Sequence, residues 1–332
     1  MSGILAVSLG CPSGIGPEVA VAGVGAARDV VLVGSEAIVR RASKVVGSRR
    51  PIAVVASPEE ARGRRELCVL PAGPPIGPSA APFGRPTKLA GAAQLAWVDA
   101  ACDLVARGEA GALVTGPVSK EAIARSGAPG SRGFLGHTEH LEARLGGGES
   151  VMCFWHPKMT TALVTTHLPL AAVPAAVTPA RVARALYWLA RFMRDAGKPR
   201  PTIAVTGLNP HAGEGGLLGR EDAGRIAPGI RQGIARLARA RVAARVTGPI
   251  PAEHALRLGA AGEVDAVLCA YHDQATIAMK LLGFGEAVNV TLGLSIVRTS
   301  VDHGTGYDRA GKGTASPAGM KVALGLARRL IA

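Results

Sequence analysis

The sequence predicts an α/β protein with a largely parallel sheet. Two patterns carry that expectation. Short apolar runs alternate with helical patterns along almost the whole chain, as they do where strands are covered by crossover helices. Polar residues collect immediately after the apolar runs, where open α/β sheets place their ligands. Composition agrees. The chain has 332 residues, 48% hydrophobic and 19% charged, which is globular rather than disordered. The length suggests two domains. Aromatic residues are only 3%, so the core must be built from Val, Leu, Ile and Ala.

The elements follow in order. Ile4–Leu9 reads as a buried strand; the stretch Met1–Leu9 has no leading Lys or Arg, so it does not read as a secretory signal. Ile15–Ala27 reads as a helix, Val30–Val33 as a strand and Ala37–Val46 as a helix. Ile52–Val55 and Leu67–Leu70 are further strands. Pro71–Pro86 is Pro-rich and reads as a loop, because Pro removes backbone donors. Thr87–Arg107 is a long helix. Ala112–Thr115 is a strand that ends in Gly116-Pro117, and Ser119 is placed to cap the helix behind it. Val151–Trp155 and Thr161–Thr166 read as two strands joined at His156-Pro157. Pro179–Ala196 is a helix, Ile203–Leu208 a strand, Ile226–Ala240 a helix and Ala266–Ala270 a strand. Ala287–Leu292 and Ser295–Thr299 are strands, and a helix from Pro317 to Ile331 closes the chain. No uninterrupted apolar run reaches the length of a membrane span.

The formal net charge is +14. The arginines are spread along helical stretches, with no basic tail and no interleaved aromatics, which argues against a nucleic-acid partner. Five cysteines, an odd number with no close pair, argue against a disulfide framework or a cysteine zinc site. They read as small core residues in a reducing cytoplasm.

Several residues can carry chemistry. His167, His211 and His272 each stand just past a strand. If those ends converge, three neutral imidazoles hold a divalent metal. No local ligand spacing joins them, so spacing alone favours three scattered polar loop side chains. In Gly133–Glu139, Thr138 and Glu139 can open a helix whose backbone donors face an anion; an ordinary helix start is the other reading. Lys280, Asn289 and Arg298 flank apolar runs. A buried Lys280 would need an anionic partner, either a substrate anion or Asp273. Two Gly-rich turns, residues 10–16 and 302–313, are structural turns or binding loops. Neither is a Walker or GxGxxG motif.

Together these pieces resemble one family, the 4-hydroxythreonine-4-phosphate dehydrogenases of pyridoxal phosphate biosynthesis. The matching segments are GCPSGIGPE (10–18), VTGPVSKEAI (114–123), FLGHTEHL (134–141), TTHLPL (165–170), LNPHAGEGG (208–216), GPIPAE (248–253), YHDQ (271–274), GFGEAVNVTLGL (283–294) and RTSVDHGTGYDRAGKG (298–313). The last is also similar to the adenosine-binding loop of isopropylmalate and isocitrate dehydrogenases, which bind NAD without a Rossmann fingerprint.

The resemblance implies a three-layer α/β/α fold of the isopropylmalate/isocitrate dehydrogenase kind, with two domains and the active site in the cleft between them. The first domain would be residues 1–130 plus 300–332 and would carry the NAD loop. The second, residues 131–299, would hold the metal and form the dimer. The implied reaction is NAD- and metal-dependent oxidation of 4-hydroxythreonine 4-phosphate at C3, then decarboxylation to 3-amino-2-oxopropyl phosphate. Threonate or erythronate 4-phosphate and aromatic carboxylate cis-diols are the alternative substrates. Metal ligands are implied at His167, His211 and His272, with each site shared across a homodimer. Zn, Mg and Co are the candidate metals, and NAD or NADP the cofactor. Substrate contacts are implied at His137, Thr138, Lys280, Asn289 and Arg298. Gly304, Thr305 and Asp308 are the expected cofactor contacts, and Lys280 and Asp273 the expected catalytic groups. One position departs: Glu253 stands where the family has Asp near the substrate.

Overall fold

The structure is a computed structural model and describes residues 3–283 and 285–332. Met1, Ser2 and Phe284 lie outside the described residues, and with them the start of the Met1–Leu9 reading and one position of GFGEAVNVTLGL. In chain order the elements are β1 (Leu5–Ser8), α1 (Gly16–Val24), β2 (Val30–Gly34), α2 (Glu36–Val45), β3 (Ile52–Val54), β4 (Leu67–Pro71), α3 (Lys88–Ala106), β5 (Ala112–Thr115), α4 (Lys120–Ala124) and α5 (His137–Leu145). Then come β6 (Val151–His156), β7 (Met159–Leu163), α6 (Val173–Ala176), α7 (Pro179–Asp195), β8 (Thr202–Thr206), α8 (Ala227–Arg239), β9 (Arg245–Ile250), α9 (Ala252–Ala261), β10 (Ala266–Cys269), α10 (His272–Gly283), β11 (Val288–Leu292), β12 (Val297–Val301) and α11 (Ala318–Ile331).

The chain divides into two compact units, Met1–Gly148 with Leu294–Ala332, and Glu149–Gly293. The first unit carries parallel strands in the order β3-β4-β2-β1-β5-β12. Every residue of β1, β2 and β5 is buried, as expected of strands covered on both faces. Ala6, Val31, Val33 and Leu113 share a core cluster with Val98, Ala101, Cys102 and Val105 of α3. Thr87 caps α3 by accepting from the Ala90 N–H. α3 is the one helix among the described residues long and apolar enough to cross a membrane, and its apolar face is spent on this core. Leu141 of α5 packs into the same cluster, so α5 belongs to the first unit although the sequence reading placed residues 131–148 in the second.

The second unit has the strand order β11-β6-β7-β10-β8-β9. β11, β6 and β7 pair antiparallel, while β7, β10, β8 and β9 run parallel. The β6–β7 connection is the expected turn at His156-Pro157, but β7 ends at Leu163, short of the predicted Thr166. β9, α9 and α10 were not foreseen. β9 is an edge strand with exposed Arg245, Thr247 and Gly248, so it lacks the apolar alternation that marks a covered strand. Within this unit the carboxyl ends of adjacent strands β7, β10 and β8 lead to His167, His272 and His211.

Candidate active site

His167 and His272 come together in the second unit. Their ring centroids lie 5.4 Å apart with the planes tilted by 46°. The cause is the parallel β7–β10 pairing, which ends both strands at the same level. Both rings line a cavity of about 410 Å³ with Thr166, Tyr271, Asp273 and Ile277. His272 opens α10 rather than standing in an open loop, and its Nδ1 lies 2.7 Å from Asp273 Oδ1. A carboxylate accepting from Nδ1–H leaves Nε2 as the free electron pair, the arrangement found behind metal-bound histidines. Asp273 thus acts on the ring of its neighbour. Among the described residues no group of three or more His, Cys, Asp or Glu is close enough to hold a metal, so one chain brings together two of the three expected imidazoles.

His211 sits in an unusual backbone. His211, Ala212, Gly213, Glu214 and Gly215 all have positive φ, from 43° to 83°. Non-glycine residues there are strained unless neighbours over-determine them. Asp222 does so. It is 2% exposed and accepts from the Leu208 N–H at 2.6 Å, the Asn209 N–H at 3.1 Å and Asn209 Nδ2 at 2.9 Å. Sequence reading missed Asp222, because nothing local marks an acid that folds back on a loop thirteen residues earlier.

The first unit carries Arg298, His137 and Thr138. Arg298 on β12 is 3% exposed and donates to Thr115 Oγ1 at 2.7 Å across the β12–β5 pair. Burial pushes its guanidinium down from the usual value, against the attraction of Glu139, yet it remains a cation. His137 is the first residue of α5. Burial, then the charges of Arg298, His140 and Lys120, hold its imidazole well below the usual histidine range, so it is neutral at pH 7. Its Nε2 is shielded from solvent without a hydrogen-bond partner. The α5 cap is Gly136, which offers no side-chain acceptor, so Thr138 is not the cap. It lies in the first helical turn beside Glu139. Lys120, at the start of α4, lies beside Gly136, its Nζ 3.6 Å from where a Cβ there would stand.

The second Gly-rich loop also lies in this unit. Thr305 O accepts from the Ile15 N–H at 2.9 Å, and a Cβ at Gly14 would stand 2.4 Å from that carbonyl. Only glycine at 14 lets the two turns meet. Tyr307 OH lies 3.5 Å from Cys11 Sγ. Gly304 is exposed and Asp308 is strongly so.

One expected residue stands differently from its reading. Lys280 is exposed, as are Ile277 and Leu281 around it. The helical period of α10 turns Ala275, Thr276 and Met279 inward and leaves Lys280 outside, so it has no burial to compensate. Asn289 lies on β11 in register with Phe154 and is half-buried. Glu253 is exposed in the first turn of α9.

Comparisons with known proteins agree on the family. The family profile described as pyridoxal phosphate biosynthetic protein PdxA matches residues 26–327. A 4-hydroxythreonine-4-phosphate dehydrogenase of Desulfosudis oleivorans is 37% identical over 98% of this chain and 95% of its own. The crystal structure of a Klebsiella pneumoniae 4-hydroxythreonine-4-phosphate dehydrogenase superposes with a TM-score of 0.84 at 32% identity, covering 99% of both chains. A terephthalate 1,2-cis-dihydrodiol dehydrogenase of Burkholderia xenovorans superposes with a TM-score of 0.67 at 28% identity, covering 96% of this chain and 97% of its own.

Proposed function

The chain belongs to the family of the pyridoxal phosphate biosynthetic protein PdxA, and from that premise we propose that it oxidises 4-hydroxythreonine 4-phosphate at C3 and releases CO2 to give 3-amino-2-oxopropyl phosphate. NAD is the proposed oxidant, with one divalent metal per site. The observation that carries this reading is the His167–His272 pair with Asp273 behind it. Neutral nitrogen donors backed by a carboxylate suit Zn or Co, and the donor set fits the group. When bound, such a metal supplies Lewis-acid stabilisation of the negative charge that builds on the C3 oxygen, and the nicotinamide supplies a hydride acceptor.

The chain's own residues do the rest. Arg298, fixed by Thr115, binds an anionic group of the substrate as a preorganised fork. His137, neutral through burial, offers a hydrogen bond without adding a repelled charge. Lys120 and Lys280 add positive charge for phosphate or carboxylate, and Lys280 reaches it as a mobile surface side chain. Thr138 and Asn289 are proposed hydrogen-bond partners of the substrate. Asp273 orients the His272 ring and holds its Nδ1 proton. Gly304, Thr305 and Asp308 are proposed to meet the cofactor. Glu253 sets substrate choice in this reading. The terephthalate enzyme's likeness favours a second reading, an aromatic carboxylate cis-diol as substrate, and NADH formation against both substrates and a four-carbon sugar-acid phosphate separates the readings.

We place the enzyme as a homodimer in the cytoplasm, where its five buried thiols stay reduced. Leu168, Leu170 and Ile277 line the cavity of the histidine pair and are 41–70% exposed, an apolar surface suited to a second copy. If each site takes His167 and His272 from one chain and His211 from the other, a mixture of His211→Ala and His167→Ala proteins regains activity after subunit exchange. A mixture of His167→Ala and His272→Ala stays inactive, because both lesions fall on the same half. Failure of the first mixture refutes the shared site.

A further inference from the structure

Glu18 is an acid in an unexpected place. It lies in the first turn of α1 and is 2% exposed. No ion pair holds its carboxylate at contact distance among the described residues. Instead Oε1 accepts from the Gly311 N–H at 2.7 Å and Oε2 from the Gly313 N–H at 3.3 Å. A buried carboxylate without a contacting cation is costly unless its oxygens are hydrogen-bonded, and both of these oxygens are spent on one loop.

The surroundings point the same way. The opposite end of that loop is tied to the same turn by the Ile15 N–H donating to Thr305 O. Gly311 has φ +80°, and a Cβ there would stand 2.5 Å from the Phe83 ring. Phe83 lies under the Arg41 guanidinium, 4.2 Å from ring centroid to Cζ. Arg41 donates to Ala81 O at 2.6 Å and to Pro12 O at 2.5 Å, and its charge is attracted to Glu18. Residues 10–18, 78–84 and 304–313 are thus closed around one carboxylate. The bonds run from backbone donors of the loop, so the carboxylate fixes the shape of the loop whatever its side chains are.

We infer that Glu18 is a positioning residue for the nicotinamide cofactor, holding residues 304–313 in the form that binds it. The inference rests on the proposed reading of that loop as the cofactor loop. Glu18 touches no reacting atom in this account, so its loss should raise the cofactor requirement and leave turnover at saturation nearly intact.

The test uses Glu18→Gln in the full-length protein with two readouts. The amide keeps one acceptor oxygen but turns an NH2 toward the other loop N–H. Amide hydrogen exchange at Gly311 and Gly313 reads the anchor without any cofactor. It should rise about tenfold or more, the scale of one lost hydrogen bond to a charged group, with β1 and β5 unchanged. Unaltered exchange at both glycines overturns the anchor. NADH affinity, read by fluorescence titration, should fall about tenfold, with kcat at saturating cofactor within about twofold. Fast exchange with unchanged NADH affinity overturns the cofactor role and the loop reading together, while the anchor itself stands. Loss of the metal or of substrate affinity alongside that of NADH would mark Glu18 as a general fold residue and overturn the inference. If Glu18→Gln does not fold, Glu18→Asp takes its place: it keeps the charge, shortens the reach by one methylene, and should show the same two effects in weaker form.

Discussion

A neutral histidine whose Nε2 is shielded from solvent makes stability depend on pH in a window that few other groups share. In the folded chain His137 is held well below its usual pKa, first by burial and then by Arg298, His140 and Lys120. In the unfolded chain it titrates near the ordinary histidine value of 6.5. Between those two values the unfolded state binds a proton that the folded state refuses. Stability therefore rises with pH across the window and falls as pH drops through 6.5. A histidine that stays neutral when folded costs about 1.3 kcal/mol between pH 7 and pH 5.5. Glu149, Asp265 and Glu221 are also displaced, but downward from carboxylate values, so they act at more acid pH. His303 is lowered by burial too and adds in the same direction, which makes a comparison with a variant necessary. His137→Asn keeps a polar group of similar reach and cannot titrate. Urea unfolding of both proteins at pH 7 and pH 5.5, without ligands, should show the parent losing about 1.3 kcal/mol more than the variant. Parallel losses in the two proteins would refute the neutral imidazole and, with it, the uncharged hydrogen-bonding role proposed for His137.

Asp222→Ala removes the acceptor of three hydrogen bonds and leaves half-buried donors at Leu208 and Asn209 unpaired. It should cost about 2–4 kcal/mol in chemical unfolding and weaken metal binding by calorimetry through release of the His211 turn; a loss below about 1 kcal/mol would show that the left-handed run holds itself. Lys280→Met should change stability by less than about 0.5 kcal/mol, as an exposed substitution does, and should raise the substrate KM while metal content stays full. A stability change of several kcal/mol would show that Lys280 is buried in the working enzyme.

The sequence by itself determined the layer architecture and the chemical inventory. Buried parallel strands such as Leu5–Ser8 and Ala112–Thr115 are continuous apolar runs, and continuity survives any tertiary context, so they could be read directly. So could caps such as Ser119, whose side chain accepts from the Ala122 N–H, because capping is settled within one turn. The family pattern named the three histidines, Arg298 and His137. What the sequence lacked was anything decided by long-range pairing. Lys280 looked buried among apolar neighbours, but a helix shows its period only once one face is packed, and α10 packs through Ala275 and Met279. β9 was invisible because an edge strand keeps polar residues on its open side. The meeting of His167 with His272 needed the β7–β10 register, which joins residues more than a hundred positions apart. Glu18 and Asp222 were overlooked for the same reason. Each acid serves backbone donors of a remote loop, and backbone N–H groups are the same in every sequence, so only the folded chain decides which of them a carboxylate will meet.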